Sequence, residues 1–433
     1  MLVLLFFSFL ILFTFLIRNH PERGLYLILA LLPTYQIRLN VFGLPTTLLE
    51  GMIVILFIVW IFPYIKNFNF SWQKLINSFK NKVENPIPKT IAYPTIVILI
   101  TSWLSVYVGR DFVSALGIWK AYFFEAIIFF IICIYLLSQK KYQQAVLALG
   151  ALAIINGFVA GYQYFSGELI LNPFWAQEIS RRSVGLFSYP NANSLLIAPL
   201  IPIFIGQLVS LFKEKRKVLA GYYILVVIFS LATIFWVKSF GAVVALATST
   251  IIFLVYYKKT RLISLLFILA FSLSIPFTPI KTRIEKVFIS THEIRLPMNP
   301  SSWQIRAQQW RETWEVLKQS PVLGGGLNNY KSAVKPFHIN KHIEIFLYPH
   351  NIFLNFWTEI GLIGLIGFLW LILAFFKLFI ETYSRNKILT LSIALAMITL
   401  LVHGLVDVPY FKNDLALLFW FIIAGIVIIK NDK

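Results

Sequence analysis

Charge is scarce in this sequence. Only 13% of its 433 residues are Asp, Glu, Lys or Arg, about half the share of a soluble domain. Acidic residues are scarcer still, 18 against 38 Lys and Arg. Cys133 is the one cysteine, so no internal disulfide can form and no Cys/His cluster points to zinc. There is no phosphate-binding glycine loop, no dinucleotide glycine motif and no HExxH sequence, which removes the usual signs of nucleotide chemistry and zinc hydrolysis. No inverted pair of broken helices of the transporter kind is visible.

What the chain has instead is apolar surface. It is 59% hydrophobic, with mean hydropathy +0.78, and apolar runs of about 20 residues recur along it. These features predict an all-α polytopic membrane protein, a single integral membrane domain over residues 1–433. Spans are expected at roughly 1–17, 24–39, 44–65, 91–108, 118–137, 144–165, 191–212, 218–237, 240–257, 262–279, 351–379, 388–407 and 415–429. That is thirteen, or twelve if Pro33 and Arg38 break the second. Residues 1–17 resemble a signal peptide's apolar region, but no basic residue precedes them and no small-residue cleavage site follows, so they read as a retained span.

The net charge of +20 follows topology and not nucleic acid. "KNFNFSWQKLINSFKNK", "SQKK", "FKEKRKV", "YYKKTR" and "SRNK" all fall on one side with thirteen spans, which the positive-inside rule makes cytoplasmic. Residues 66–90 read as an amphipathic segment lying on that surface. The two longest external segments are then about 166–190 and 280–350, the latter a large loop carrying short helices. It holds ten Lys/Arg against five Glu. A basic loop outside runs against the orientation bias, which long loops can escape. Either it binds an anionic substrate or it lies on lipid headgroups.

Three stretches concentrate polar chemistry. In "RRSVGLFSYPNANS" (181–194), Arg181 and Arg182 precede a helix that starts near Pro190, with Asn191 or Asn193 as cap. Its positive end faces outward and suits phosphate; the plainer reading is an arginine on lipid headgroups. In "SSWQIRAQQWRETWEVLKQSPVLGGGLNNY" (301–330), Trp303, Trp310, Trp314 and Leu317 recur at helical spacing. Arg306 sits inside that stripe and Arg311 off it. A planar guanidinium fits phosphate; the alternative for Arg306 is a cation–π contact with Trp310. In "YPHNIFLNFWTEIGLIGLIGFLW" (348–370), a helix opens at His350-Asn351. Most boundary histidines are structural, but this one combines a helix N-terminus, a neighbouring amide and a basic approach, and histidine is a common general base. Glu359 lies out of phase with it on a straight helix, so no dyad is assigned. Gly361, Gly364 and Gly367 read as a packing seam. Glu50, Lys120, Glu125, Lys238, His403 and Asp407 are further intramembrane ionisables, for most of which internal pairing is the simpler reading. His403 and Asp407 lie four apart, as if on one helix face.

These stretches resemble the O-antigen ligase and O-antigen polymerase superfamily of bacterial glycosyltransferases. The most specific piece is His350-Asn351, nine residues, Gly361, two residues, Gly364. "RSVGLFSYPNANS" is similar to the family's Arg-x-x-Gly…Pro-Asn element, and "IRAQQW…SPVLGGGLNNY" to its Arg…Trp…Pro-x-x-Gly-x-Gly segment. "HGLVDVPYF" is similar to its polar tail before the last span. The resemblance covers roughly 180–430; the first 180 residues match only in hydropathy. After Thr233, members often show Ser-Arg-Gly where this chain has "VKSFGAV", so Phe240 stands where arginine would be and Lys238 lies two residues away. The resemblance implies a GT-C-like membrane glycosyltransferase with its site on the outer face of the bacterial cytoplasmic membrane. It implies an undecaprenyl pyrophosphate-linked glycan donor, a hydroxyl acceptor on a glycolipid, cell-wall glycan or protein, inversion, and no metal, cofactor or nucleotide. Arg182 and Arg306 would clamp the pyrophosphate and His350 would act on the acceptor, with Arg181, Asn191, Asn351, Arg311 and Lys238 in the binding set. The histidine motif favours ligase over polymerase; a polysaccharide flippase is the rival from another class.

Overall fold

The computed structural model describes residues 2–41, 43–66, 86–256, 296–298 and 300–432. The chain is a helical bundle. Among the described residues, its helices of eight residues or more are, in order, α1 (Leu2–Ile17), α2 (Pro21–Ala30), α3 (Leu48–Lys66), α4 (Lys89–Ser105), α5 (Phe112–Leu136), α6 (Gln139–Ser166), α7 (Pro190–Lys213), α8 (Lys217–Val237), α9 (Phe240–Tyr256), α10 (Ser302–Gln319), α11 (Ile352–Thr382), α12 (Lys387–His403) and α13 (Asn413–Asn431). Six of these, α5 to α8, α11 and α13, are long and apolar enough to cross a membrane, and α1, α3, α9 and α12 are shorter apolar helices.

The expected second span is not one helix. α2 stops at Ala30, a 3-10 turn runs Leu32–Gln36, and β1 (Arg38–Val41) pairs antiparallel with β2 (Leu44–Thr47). Pro33 cannot extend the helix hydrogen-bond ladder, and Arg38 is exposed on the strand. The expected span 262–279 and most of the amphipathic segment 66–90 lie outside the described residues.

α13 is the central post. Its residues Asn413–Ile429 are buried without a break, as expected of a helix that is apolar all round. It packs against α5, α11, α12 and α6. Around it α7 packs on α8 and α12, α11 on α4, α8 on α6, and α9 on α12. Some charges inside this apolar mass are paired, although buried Glu125 Oε2 has no hydrogen-bond partner among the described residues. Lys120 Nζ is 2.8 Å from Glu50 Oε2, and Asn413 Nδ2 donates to Glu50 Oε1 at 2.7 Å. The pairing expected for Lys120 is thus made, tying α3, α5 and α13 together. Lys120 opens a π turn, Lys120–Phe124, within α5. There the Tyr122 carbonyl accepts from the Tyr410 hydroxyl at 2.9 Å.

α11 is not straight. Its phase breaks at Ile360 (φ −127°) and Gly361 (φ +75°). The segment that follows α10 fills the break. Gly325 N–H donates to the Thr358 carbonyl at 2.7 Å, and Leu362 N–H to the Val322 carbonyl at 2.9 Å. Asn328 N–H donates to Glu359 Oε2 at 2.6 Å, and the Ser105 hydroxyl donates to the Glu359 carbonyl. The Thr358 and Glu359 carbonyls and the Leu362 N–H at the break therefore meet partners, as buried backbone groups require. The three glycines turn out to do different things. Gly361 is the break itself, and a side chain there would strike the Val322 carbonyl. A Cβ on Gly364 would meet Ile360 of its own helix. Only Gly367 seats a neighbouring helix, with Val97 and Ile98 of α4 at 3.0 and 3.3 Å from a Cβ built there.

Candidate active site

The segment 166–189 between α6 and α7 is pinned by its arginines. Arg181 donates to the carbonyls of Ala176, Tyr164 and Phe165, so it closes the end of α6. Arg182 turns the other way. Its Nε donates to the Val237 carbonyl at 2.9 Å, and its Nη2 to Asn191 Oδ1 at 2.9 Å. Its guanidinium also lies 5.0 Å from the centre of the Trp175 ring. Asn191 then donates through Nδ2 to Asp407 Oδ2 at 2.9 Å. Neither asparagine caps α7, contrary to expectation. Tyr189 is the N-cap residue and makes no side-chain cap, while Asn193 bonds buried Asn156 at 2.9 Å and the Val184 carbonyl at 3.1 Å. The short Asn side chains reach across to other elements instead of back to their own helix.

Asp407 lies in the segment that joins α12 to α13. α12 ends at His403, so His403 and Asp407 do not share a helix face as their spacing implied. This segment is also where Arg306 arrives. Its Nε donates to the Val406 carbonyl at 2.7 Å and its Nη1 to the Ser302 carbonyl at 3.3 Å. Burial pulls both guanidinium groups below their ordinary range, as does Arg306 acting on Arg182, and Asp407 opposes it in each case. Both stay protonated, since arginine does not lose its charge in proteins. Arg182 is thus linked to Asp407 through Asn191, and Arg306 is held on the carbonyl of the neighbouring Val406.

His350 completes the group. It stands at φ +47°, a left-handed conformation uncommon for a side chain other than glycine. Its Nδ1 is 2.9 Å from Gln309 Oε1 on α10, and the Phe346 ring meets it edge-on at 5.3 Å. Burial lowers its pKa from the ordinary 6.5, Arg306 pushes the same way, and Asp407 and a main-chain hydrogen bond to Tyr348 pull against them. The net direction is down, so the imidazole is neutral at neutral pH. Asn351 is the N-cap of α11 and accepts from Phe353 and Leu354 N–H at 3.0 and 3.1 Å. Its amide nitrogen donates to the Leu405 carbonyl at 3.1 Å. Cap and crosslink together set where His350 stands against the 404–412 segment.

Of the other sequence-derived candidates, Lys238 is the left-handed C-cap of α8, exposed and 5.6 Å over the Tyr164 ring. It follows Val237, whose carbonyl holds Arg182, so it flanks that arginine. Arg311 is partly buried on α10, five residues on from Arg306 and roughly 140° round the helix. The tryptophan stripe is not α10's buried side. The buried residues are Ala307, Gln308, Gln309, Glu312, Thr313, Val316 and Leu317, and Trp314 is half exposed. Gln309 had no visible signal in the sequence. Nor did Lys412, whose ammonium sits 4.6, 5.0 and 5.7 Å from the Tyr35, Phe187 and Tyr189 rings and 3.3 Å from Asp414 Oδ2. The nearest hint was its place beside Asp414 before an apolar span.

Among known families, the model described as O-antigen ligase matches residues 224–369, a stretch that contains Lys238, Arg306, His350 and Asn351. No curated protein matches the chain. Arg182, Asn191 and Asp407 come from outside the matched stretch and are joined to it by the contacts above. Residues 224–369 of this polytopic membrane protein are thus similar to the O-antigen ligase family.

Proposed function

We propose that this protein transfers a glycan from a polyprenyl pyrophosphate, undecaprenyl in bacteria, to a hydroxyl acceptor on the outer face of the membrane. The observation that carries this reading is the chain from Arg182 through Asn191 to Asp407, with Arg306 held on the adjacent Val406 carbonyl and His350 under the influence of both Arg306 and Asp407. Two arginines against one acid leave a positive site, which suits a pyrophosphate leaving group. Partial burial makes their charge worth more there than in water. α7 begins beside Arg182 with no side-chain cap, so its dipole adds to the same field.

In this mechanism the donor pyrophosphate lies against Arg182 and Arg306. The acceptor hydroxyl oxygen attacks the anomeric carbon from the face opposite the pyrophosphate. His350 takes the hydroxyl proton as the new glycosidic bond forms. The bond to the pyrophosphate oxygen breaks, and its electron pair leaves on the lipid pyrophosphate, neutralised by the two guanidinium groups. Displacement from the opposite face inverts the anomeric centre. Lys238 and Arg311 are the remaining candidate contacts for the donor. Arg181, Asn191 and Asn351 serve this scheme by holding the segments in place.

The test uses purified protein in lipid with a polyprenyl pyrophosphate-linked glycan and candidate acceptors. Transfer to a different acceptor molecule is expected. Growth of the lipid-linked glycan itself would make the protein a polymerase, and transbilayer movement without a new linkage would make it a transporter. Full transfer by His350→Ala protein would sink the base assignment.

A further inference from the structure

Resting on the reading of His350 as proton acceptor, we propose that Gln309 is a positioning residue: it fixes the ring proton on Nδ1 and so leaves Nε2 bare for the acceptor hydroxyl. The geometry is direct. Gln309 Oε1 lies 2.9 Å from His350 Nδ1, and the side chain is buried. A carboxamide oxygen only accepts, so Nδ1 is the donor, and a neutral imidazole has one N–H to give. The lone pair is then on Nε2. Among the described residues the buried amide nitrogen of Gln309 has no hydrogen-bond partner. Burying an unpaired donor is costly and reversing the amide would pair it with Nδ1, so the tautomer measurement below decides between the two orientations. Gln309 stands three residues after Arg306 on α10, so one helix carries a clamp on the leaving group and the support of the base.

The charged groups that act on His350 are Arg306 from α10 and Asp407 from the 404–412 segment, and the Tyr348 main chain also hydrogen-bonds the ring. Glu312, one turn beyond Gln309, is turned to His338, with 3.0 Å between Oε1 and Nδ1. A reversed amide would place NH2 against Nδ1, move the ring proton to Nε2, and make His350 a donor toward the hydroxyl.

Two measurements on the full chain in lipid decide this. In 15N-histidine-labelled protein, with the His350 signal identified by its loss in His350→Ala, the Nδ1–H tautomer is expected, and Gln309→Leu should yield a mixture. In transfer assays, Gln309→Leu should lower kcat about tenfold or more with the KM for donor little changed. Gln309→Glu keeps an acceptor oxygen and adds a charge. It should retain transfer at high pH and raise the acid-limb apparent pKa by about one unit or more. An Nε2–H tautomer in the unaltered protein, or unaltered kcat and pH profile in Gln309→Leu, overturns the proposal. Full transfer by His350→Ala would instead overturn the base reading beneath it, and the tautomer measurement separates the two failures.

Discussion

Arg182 makes two directed contacts with one planar group, to the Val237 carbonyl and to Asn191. A lysine offers a point charge and cannot make both. Arg182→Lys is therefore expected to lose at least about tenfold in kcat/KM, roughly 1.4 kcal/mol, despite keeping its charge; steady-state transfer assays measure this. The lowered pKa of His350 sets the pH dependence. A base works only while neutral, so activity should hold as pH falls to the ordinary 6.5 of histidine and drop only at lower pH, as the buried ring protonates. An acid limb at or above that value would contradict the assignment. The residues of this site that stood out in the sequence, His350, Arg182, Arg306, Asn191 and Asn351, are polar groups at the edges of apolar runs, where they are conspicuous. Asp407 was visible only as a polar group near a span, because its bond to Asn191 crosses 216 positions. Gln309 was one glutamine among several on a helix whose tryptophans drew the eye.

The broken α11 shows how a sequence pattern can be read correctly in type and wrongly in use. Its glycine spacing marked close approach, yet at Gly361 the approaching group is the 321–328 segment and not a helix. A helical span of apolar residues carries no local sign that its ladder is interrupted; the sign was Glu359, polar where lipid was expected, and it meets the Asn328 amide. Gly361→Ala combines a left-handed backbone with a collision at Val322, and should cost about 1–3 kcal/mol. Thermal unfolding in detergent would register it, with Gly367→Ala as the milder comparison because only Val97 and Ile98 side chains need give. Lys120→Met would leave the buried Glu50 carboxylate without its cation, a loss of about 3–5 kcal/mol seen in the same assay. A silent substitution there would mean that Asn413 and the Thr47 N–H suffice.

Among the described residues the helices follow hydropathy closely, except where a helix breaker and a charge divide the stretch 24–39. Composition reports how much apolar surface there is; it does not report whether that surface closes into one long helix or into a short helix, a turn and a hairpin. Orientation is open to direct measurement because Cys133 is the one cysteine and is buried. Leu171 and Ile179 are almost fully exposed in the segment before Arg182. Cysteines placed there should react with an impermeant reagent added to intact cells, while a cysteine at exposed Lys215 between α7 and α8 should react only after lysis. The reverse pattern would turn the site toward the cytoplasm.

The burial of α13 has a bearing on how such a molecule is made. Each helix that touches this post, α5, α6, α11 and α12 among them, precedes it in the chain. Chains emerge in sequence order, so the surrounding wall must stand for a time around an unfilled slot. Glu50 waits there for Asn413, and Tyr122 for Tyr410. The segment bearing Asp407 is drawn into place only as this keystone seats. On that account the grouping of Arg182, Arg306, His350 and Asp407 is complete only once α13 has seated.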